Sequence, residues 1–361
     1  MKFLHETESV WERLQRETRP IVLYGMGDGA DKILRVFAQK GIQAAGVFAS
    51  DGFVRGHSFA GFPVRTLPQI LEEFGHDIVI VLSFASQRPE LLARFYELNA
   101  QYDLVAPDVP VAGDGLFDMK FVEQHAAELQ EAYGYMADET ARQVFSDIVN
   151  FKISGKIDYL RRCETDKQEV FSSVLKPHTQ EHFVDLGAYN GDTIRELLSY
   201  TGGAYASITA LEPDRRNFRK LSKYAEEQLD AARVQLVQAG SWCEDTALTF
   251  AAKAGRNSAL SGHGVLTQMR AVDSVLEGAP CTLLKLDVEG AEHQALLGAQ
   301  ETIRRFRPRL NVACYHRNED LFDLPRLLKA LCPAYKLYLR HHPYVPAWEV
   351  NLYAVAQDAS I

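Results

Sequence analysis

The sequence has no C-x-x-C pair: its five cysteines, Cys163, Cys243, Cys281, Cys314 and Cys332, are widely scattered. That excludes a disulfide framework and a zinc site by spacing, and points to structural thiols in a reducing, cytoplasmic setting. Long apolar runs are also missing. The longest, such as 78–84, are strand-length and far short of the roughly 20 residues of a membrane helix. Residues 1–14 lack the apolar core of a secretion signal; with Lys2, His5, Glu6, Glu8 and Glu12 among apolar residues they read as an amphipathic helix. Nor is there a basic excess. The 39 Lys and Arg against 48 Asp and Glu leave a net charge of -9, which argues against a nucleic-acid partner. Repeats and low-complexity segments are absent.

What is present is the composition of a globular protein, 47% hydrophobic and 24% charged, in 361 residues, a length that suits two domains. Three textures divide it. Residues 1–110 alternate strand and helix: an apolar strand at 21–24, a glycine turn, a helix with Ile33, Leu34 and Phe37 in phase, and strands at 44–48, 78–83 and 103–105. This is a Rossmann-like α/β pattern. Residues 111–178 show only helical spacing, at 123–133, 139–150 and 152–162, and read as a helical connector. Residues 179–361 form a second α/β unit, with strands expected at 183–186, 208–211, 234–237, 283–286 and 310–314 and helices at 193–200, 217–229, 292–306 and 324–331. Strands at 336–339 and 350–354 follow with only a loop between them, which forces an antiparallel pair. A parallel sheet closed by such a hairpin is the layout of class I S-adenosylmethionine (SAM)-dependent methyltransferases.

Within that unit, Val184-Asp185-Leu186-Gly187-Ala188-Tyr189-Asn190-Gly191 is strand, glycine turn and helix start. Gly187 and Gly191 allow a sharp turn and close approach of a ligand. Asp185 can accept from an ammonium, and helix-start N–H groups can hold a carboxylate; SAM carries both groups. Glu212 ends the next strand, where an acid reaches two ribose hydroxyls, and Asp214 caps the helix after it. Ser241 and Trp242 follow the third strand, where adenine would lie, with Trp242 free to stack or simply to fill core. The fourth strand runs into Lys285-Leu286-Asp287-Val288-Glu289-Gly290-Ala291-Glu292. Four ionisable groups crowd its carboxyl edge. Acids at a helix start explain Glu292, but Lys285 and Asp287 share one face of an apolar strand and are expected to pair.

This string, with Leu297-Gly298-Ala299, Arg307-Pro308, Tyr315-His316 and Glu349-Val350-Asn351-Leu352-Tyr353-Ala354, resembles the FkbM-like methyltransferases over about 138–354. The resemblance implies O-methylation of a small, sugar-like or otherwise oxygenated acceptor. It also implies SAM binding by Asp185, Gly187, Gly191 and Glu212, and places Asp287 and Glu289 beside the transferred methyl.

A sugar hydroxyl is a poor acid, so a positioned base must take its proton, an effect typically worth about 10²–10⁴-fold. The candidates are His316, which at an unshifted pKa of about 6.5 would be largely neutral, Asp287, and His341 or His342, of which at most one can face the site; Glu289 counts as catalytic through its place beside the methyl. Asp287, Glu289, Glu292 and His316 could instead hold a divalent cation, although their spacing matches no dedicated metal motif and no metal is assigned. In the first unit, Gly25-Met26-Gly27-Asp28-Gly29-Ala30, with Asp51 downstream, approximates a dinucleotide turn. The competing expectations there are an NAD-dependent or nucleotide-sugar-dependent enzyme, a nucleotide-sugar or docking module, and a scaffold; a non-catalytic SAM or nucleotide sensor is a third reading of the whole chain. Two α/β units joined by helices permit a homodimer without requiring one.

Overall fold

A computed structural model describes residues 1–54, 56, 58–250 and 265–357. The first sheet contains β1 (Ile21–Tyr24), β2 (Gly46–Phe48), β3 (Ser58–Phe59), β4 (Phe62–Arg65), β5 (Val79–Leu82) and β6 (Asp103–Val105) in the order β3-β4-β2-β1-β5-β6. All pairings are parallel except the small β3–β4 hairpin. Every residue of β1 and β5 is buried, as expected of parallel strands covered on both faces.

The second sheet holds β7 (His182–Leu186), β8 (Ser207–Leu211), β9 (Val234–Val237), β13 (Leu283–Leu286), β14 (Arg309–Ala313), β15 (Tyr335–His341) and β16 (Val350–Ala356), ordered β15-β16-β14-β13-β7-β8-β9. β16 runs antiparallel to both its neighbours and the remaining pairs are parallel. The expected hairpin is therefore present, with its last strand inserted between β14 and β15. A separate three-stranded sheet, β10 (Gly240–Ser241), β11 (Thr246–Phe250) and β12 (Val265–Arg270), falls in sequence between β9 and β13 of the second sheet.

The helix Glu139–Ser154 joins the units. Asp138 caps its start by accepting from Ala141 N, Gly155 ends it at φ 67°, and every residue from Val144 to Ser154 is buried. Its apolar side chains, including Val144, Ile148 and Phe151, share one cluster with Val22 and Ile80 of the first sheet and Leu310, Val312 and Leu352 of the second. Asn150 accommodates a polar group in this core: its Oδ1 accepts from His5 N and Glu6 N, and its Nδ2 donates to Phe3 O and Ser146 O. The loop after β5 pairs with the loop before β16 through Ser86 N to Val345 O (2.9 Å) and Val345 N to Ser86 O (3.0 Å).

Several local expectations change. The N-terminal helix covers only Val10–Gln15, because the Ser9–Glu12 capping box starts it there. The helix expected over 292–306 is two, Glu292–Leu297 and Gln300–Phe306, broken where a Cβ on Gly298 would lie 2.0 Å from Trp242 O. The stretch 123–133 divides at His125, and 152–162 divides at Gly155. No helix among the described residues is long and apolar enough to cross a membrane.

Candidate active site

The site forms where the carboxyl ends of β7, β8, β13 and β14 meet. Gly187 leaves β7 with φ 76°, and its N–H and that of Ala188 both donate to Leu211 O at 3.0 Å. A Cβ there would stand 2.0 Å from Asp287 O. Glycine is thus required twice, by the left-handed backbone and by contact with the β13 loop. Gly191 (φ 82°) starts the helix Asp192–Thr201 without a cap of its own; Asp192 in the first turn accepts from Thr193 N at 3.0 Å, which leaves the other helix-start N–H groups for a ligand's polar end, and a Cβ on Gly191 would meet the Tyr224 ring at 2.7 Å.

Asp185 is fully buried, and its closest cation is not the one expected for it. Lys285 lies opposite it in register, with Nζ 3.3 Å from Asp185 Oδ1, 4.0 Å from Asp287 Oδ2, and donating to Gly187 O at 2.9 Å. The pairing expected between Lys285 and Asp287 is therefore shared and favours Asp185. Burial raises the Asp185 pKa against the pull of Lys285. For Lys285 burial works downward, but Asp185 and Asp287 outweigh it and hold the ammonium above its ordinary range. This ion pair ties β7 to β13 directly beneath the glycine turn.

Glu212 sits just past β8. Its Oε2 accepts from Tyr189 N and its Oε1 from Asp214 N, both at 2.8 Å. Each oxygen keeps a lone pair, two acceptors on one plane for two vicinal hydroxyls. Burial pushes its pKa up to about 7 in spite of those two backbone donors. Asp214 caps the next helix as expected, accepting from Arg216 N and Asn217 N. On β10, Ser241 is buried and its hydroxyl has no hydrogen-bond partner. Trp242 is half-buried and its backbone N–H donates to Arg270 O at 3.0 Å. A fixed carboxylate, an orphaned hydroxyl and an uncapped helix start on successive strands fit a nucleoside bearing an anionic tail.

Asp287, Glu289, Glu292 and His316 converge beside the same turn. His316 follows β14 and is 1% exposed. Its Nδ1 lies 2.8 Å from Glu292 Oε1, and its Nε2 lies 3.5 Å from both Asp287 Oδ1 and Glu289 Oε2. Burial alone would lower its pKa, but Glu292, then Asp287 and Glu289, raise it to about 10. The expectation of a neutral imidazole at pH 7 is therefore corrected: with these carboxylates around it, His316 carries a proton. Glu289 adopts φ 56°, a left-handed conformation that a non-glycine residue holds only when its surroundings enforce it. The connector closes over this turn. Ala112 N donates to His316 O at 2.9 Å, and a Cβ on Gly290 would stand 2.5 Å from Ala112 Cβ.

Two participants stood in the family-like motifs without an assigned role. The Tyr315 hydroxyl donates to Asp287 Oδ1 at 3.3 Å, and Glu349, at φ 59°, has its pKa raised by burial with Asp287 nearby. His341 and His342 are placed elsewhere. His341 is fully buried, and burial lowers its pKa to about 3. His342 is engaged by Tyr353 Oη (2.8 Å) and Thr165 O (3.0 Å).

In the first unit, Gly27 precedes the helix Asp28–Lys40, whose first turn carries Asp28 and Asp31, unfavourable charges for a pyrophosphate. A Cβ on Gly25 would stand 2.4 Å from the Phe84 ring, so the close approach this glycine allows is used by Phe84. A depression of about 560 Å³ lies away from that turn, over Val54, Pro63, Arg65, Gln69, Glu72 and Glu73.

Residues 185–342 match the methyltransferase FkbM domain. Across both α/β units the chain is similar to the crystal structure of a methyltransferase FkbM from Methylobacillus flagellatus KT, with a TM-score of 0.74 and 22% identity over 96% of this chain and 92% of that one; this establishes the fold. An rRNA methylase from Streptococcus thermophilus aligns with a TM-score of 0.35 and 13% identity over 52% of this chain and 92% of its own. Fibrillarin from Aeropyrum pernix, in complex with natively bound S-adenosyl-L-methionine, aligns with a TM-score of 0.35 and 13% identity over 52% and 71%. No curated protein sequence matches the chain significantly.

Proposed function

We infer that this chain, whose residues 185–342 match the methyltransferase FkbM domain, transfers the methyl group of SAM to a hydroxyl of a small, sugar-like or otherwise oxygenated metabolite. The observation that carries this reading is the contact between Gly187 and the Asp287 carbonyl, where no Cβ could fit. It joins the nucleoside-fitting turn to the acid cluster, so a ligand held by the first has its reactive end at the second.

Glu212 accepts from the ribose hydroxyls, Ser241 gives its unpartnered hydroxyl to the base, and Gly187 and Gly191 leave room for the methionine portion at the helix start. Trp242 borders the base. Asp185 acts through Lys285, fixing the turn from below. Bound SAM would supply a sulfonium-linked methyl for in-line displacement by the acceptor oxygen, a geometry whose alignment alone is worth about 7–11 kcal/mol. Asp287 and Glu289, each with a side chain 37% exposed, are the oxygens that can receive the acceptor's proton. Tyr315 and His316 orient them. All five cysteines are free thiols, which supports the expected cytoplasmic setting.

Calorimetric titration with S-adenosylhomocysteine tests the reading. Micromolar binding that is lost in Gly187→Arg and Glu212→Ala is the expected result. A folded wild type that ignores this ligand but binds NADH or a UDP-sugar would move the chemistry to the first unit.

A further inference from the structure

The helix Arg215–Gln228, which follows β8, carries its charges in the reverse of the order that helix electrostatics favours. Arg215, Arg216, Arg219, Lys220 and Lys223 are all exposed in its first half, and Glu226 and Glu227 lie at its end. Cations near a helix N-terminus and anions near its C-terminus both oppose the macrodipole. Such a breach of a local rule marks a position held for something other than stability. At about 100° per residue the five cations span an arc of about 140° and run about 12 Å along the axis. Leu221, on the opposite side, is buried with Ile194, Ile208 and Ala210.

Little of this charge is neutralised in place. Lys223 faces Glu227 at 3.7 Å, and the other four cations have no ion pair among the described residues. Asp214, at the helix start, is engaged by Arg216 N and Asn217 N. Lys220 Nζ stands 5.7 Å from the centroid of the Tyr189 ring. Arg195, which donates to Asn190 O and Oδ1, lies 4.5 Å from the centroid of the Tyr224 ring. The basic surface thus reaches from the helix to the glycine turn. In a chain of net charge -9 it is a local reversal of sign.

Its chemistry narrows the partner. The exposed large hydrophobics among the described residues are Met1, Phe53 and Leu266, none of them on this helix. A protein partner needs an apolar centre to its interface. A single-stranded nucleic acid needs aromatic faces for its bases, whereas Tyr189 and Tyr224 are faced by Lys220 and Arg195. A planar anionic surface acts chiefly on charges within a Debye length of it, about 8–10 Å, so it feels this face and little of the acidic remainder. Basic clusters of this size on an amphipathic helix suit anionic lipid headgroups. We propose that the exposed face of Arg215–Lys223 docks the protein on an anionic phospholipid surface, by charge alone and with no side chain inserted into the bilayer. Asp214 N donates to Glu212, so docking sets the nucleoside-fitting turn beside the headgroups.

The test is co-sedimentation of the full-length chain with phosphatidylcholine vesicles containing or lacking phosphatidylglycerol. Expected is binding only to vesicles with phosphatidylglycerol, falling as salt is raised. Each Lys or Arg at such a surface contributes about fivefold, so the triple variant Arg215→Gln, Arg216→Gln, Arg219→Gln should bind about 100-fold more weakly. The triple variant Arg35→Gln, Arg88→Gln, Lys336→Gln loses the same charge from other exposed positions, Lys336 being on β15 at the far edge of the sheet, and should bind as wild type does. Thermal unfolding reports that both are folded, and it should not fall in the first, which sheds cations opposed to the dipole. Wild type that ignores phosphatidylglycerol, or binds both kinds of vesicle equally, overturns the proposal. So does equal loss in the two triple variants, unchanged binding in the first, or a preference for single-stranded RNA over the vesicles.

Discussion

Replacing Glu212 with glutamine separates two roles of one buried carboxylate. In the native chain each oxygen accepts one backbone N–H, from Tyr189 and from Asp214. An amide keeps one acceptor and turns an NH₂ toward the other donor, which costs about 1–3 kcal/mol for the unsatisfied N–H. Against this stands the burial of charge. The folded pKa of about 7 lies above the ordinary 4.5, so the proton-linked stabilisation is complete below about pH 4.5 and is lost as pH rises through 7. The whole span amounts to roughly 3 kcal/mol. Glutamine does not titrate. The stability advantage of wild type over Glu212→Gln should therefore be largest near pH 5 and should vanish or reverse by pH 8.5, as read from urea unfolding at a series of pH values. Ligand binding should behave the opposite way. A carboxylate accepting ribose hydroxyls contributes about 1.5–3 kcal/mol, so at pH 8 the variant should bind S-adenosylhomocysteine about 10–150-fold more weakly. Wild-type affinity should climb between pH 6 and 8 while the variant stays flat. A stability difference independent of pH, or wild-type affinity in the variant at pH 8, would refute the reasoning.

Three further substitutions probe the same framework. Lys285→Met leaves Asp185 buried without its counter-charge and should destabilise the chain by about 3–5 kcal/mol in chemical denaturation, much of it recovered in a Lys285→Met, Asp185→Leu double variant. Gly187→Ala combines a left-handed backbone with an overlap against Asp287 O, together about 2–5 kcal/mol; thermal unfolding should fall and S-adenosylhomocysteine binding with it. Ser241→Ala removes a hydroxyl that has no partner, so stability should hold or rise while nucleoside affinity drops by about 2–10-fold, a split visible by comparing melting and titration of the same protein.

Most of the second unit could be read from the sequence, because apolar strands bounded by glycine turns and in-phase helices are local patterns. The strand-end positions of Asp185, Glu212 and Asp287 follow from them, and so does the antiparallel close at β15 and β16. What escaped depends on distant partners. The three-stranded sheet β10–β12 was not anticipated, since Gly240 and Ser241 make a two-residue strand whose partner, Met269–Arg270, lies far along the chain. Alternation put Lys285 beside Asp287 on one face, but it could not show Asp185 opposite Lys285 on the neighbouring strand. Similarly, Tyr315-His316 read as a strand end, whereas the ionisation of His316 is set by Glu292 and the two other carboxylates, which only the fold gathers. The break at Gly298 likewise comes from the Trp242 carbonyl pressed against it.

The most direct test of methyl transfer to oxygen is to incubate the chain with SAM labelled with ¹³C at the methyl group and a panel of sugars, other hydroxylated metabolites and amines, and to follow the label by NMR. The account predicts a new signal in the methoxy region, formed with a hydroxylated acceptor and lost in Glu212→Ala. A label that appears only on nitrogen, or transfer that survives in Glu212→Ala, would contradict it.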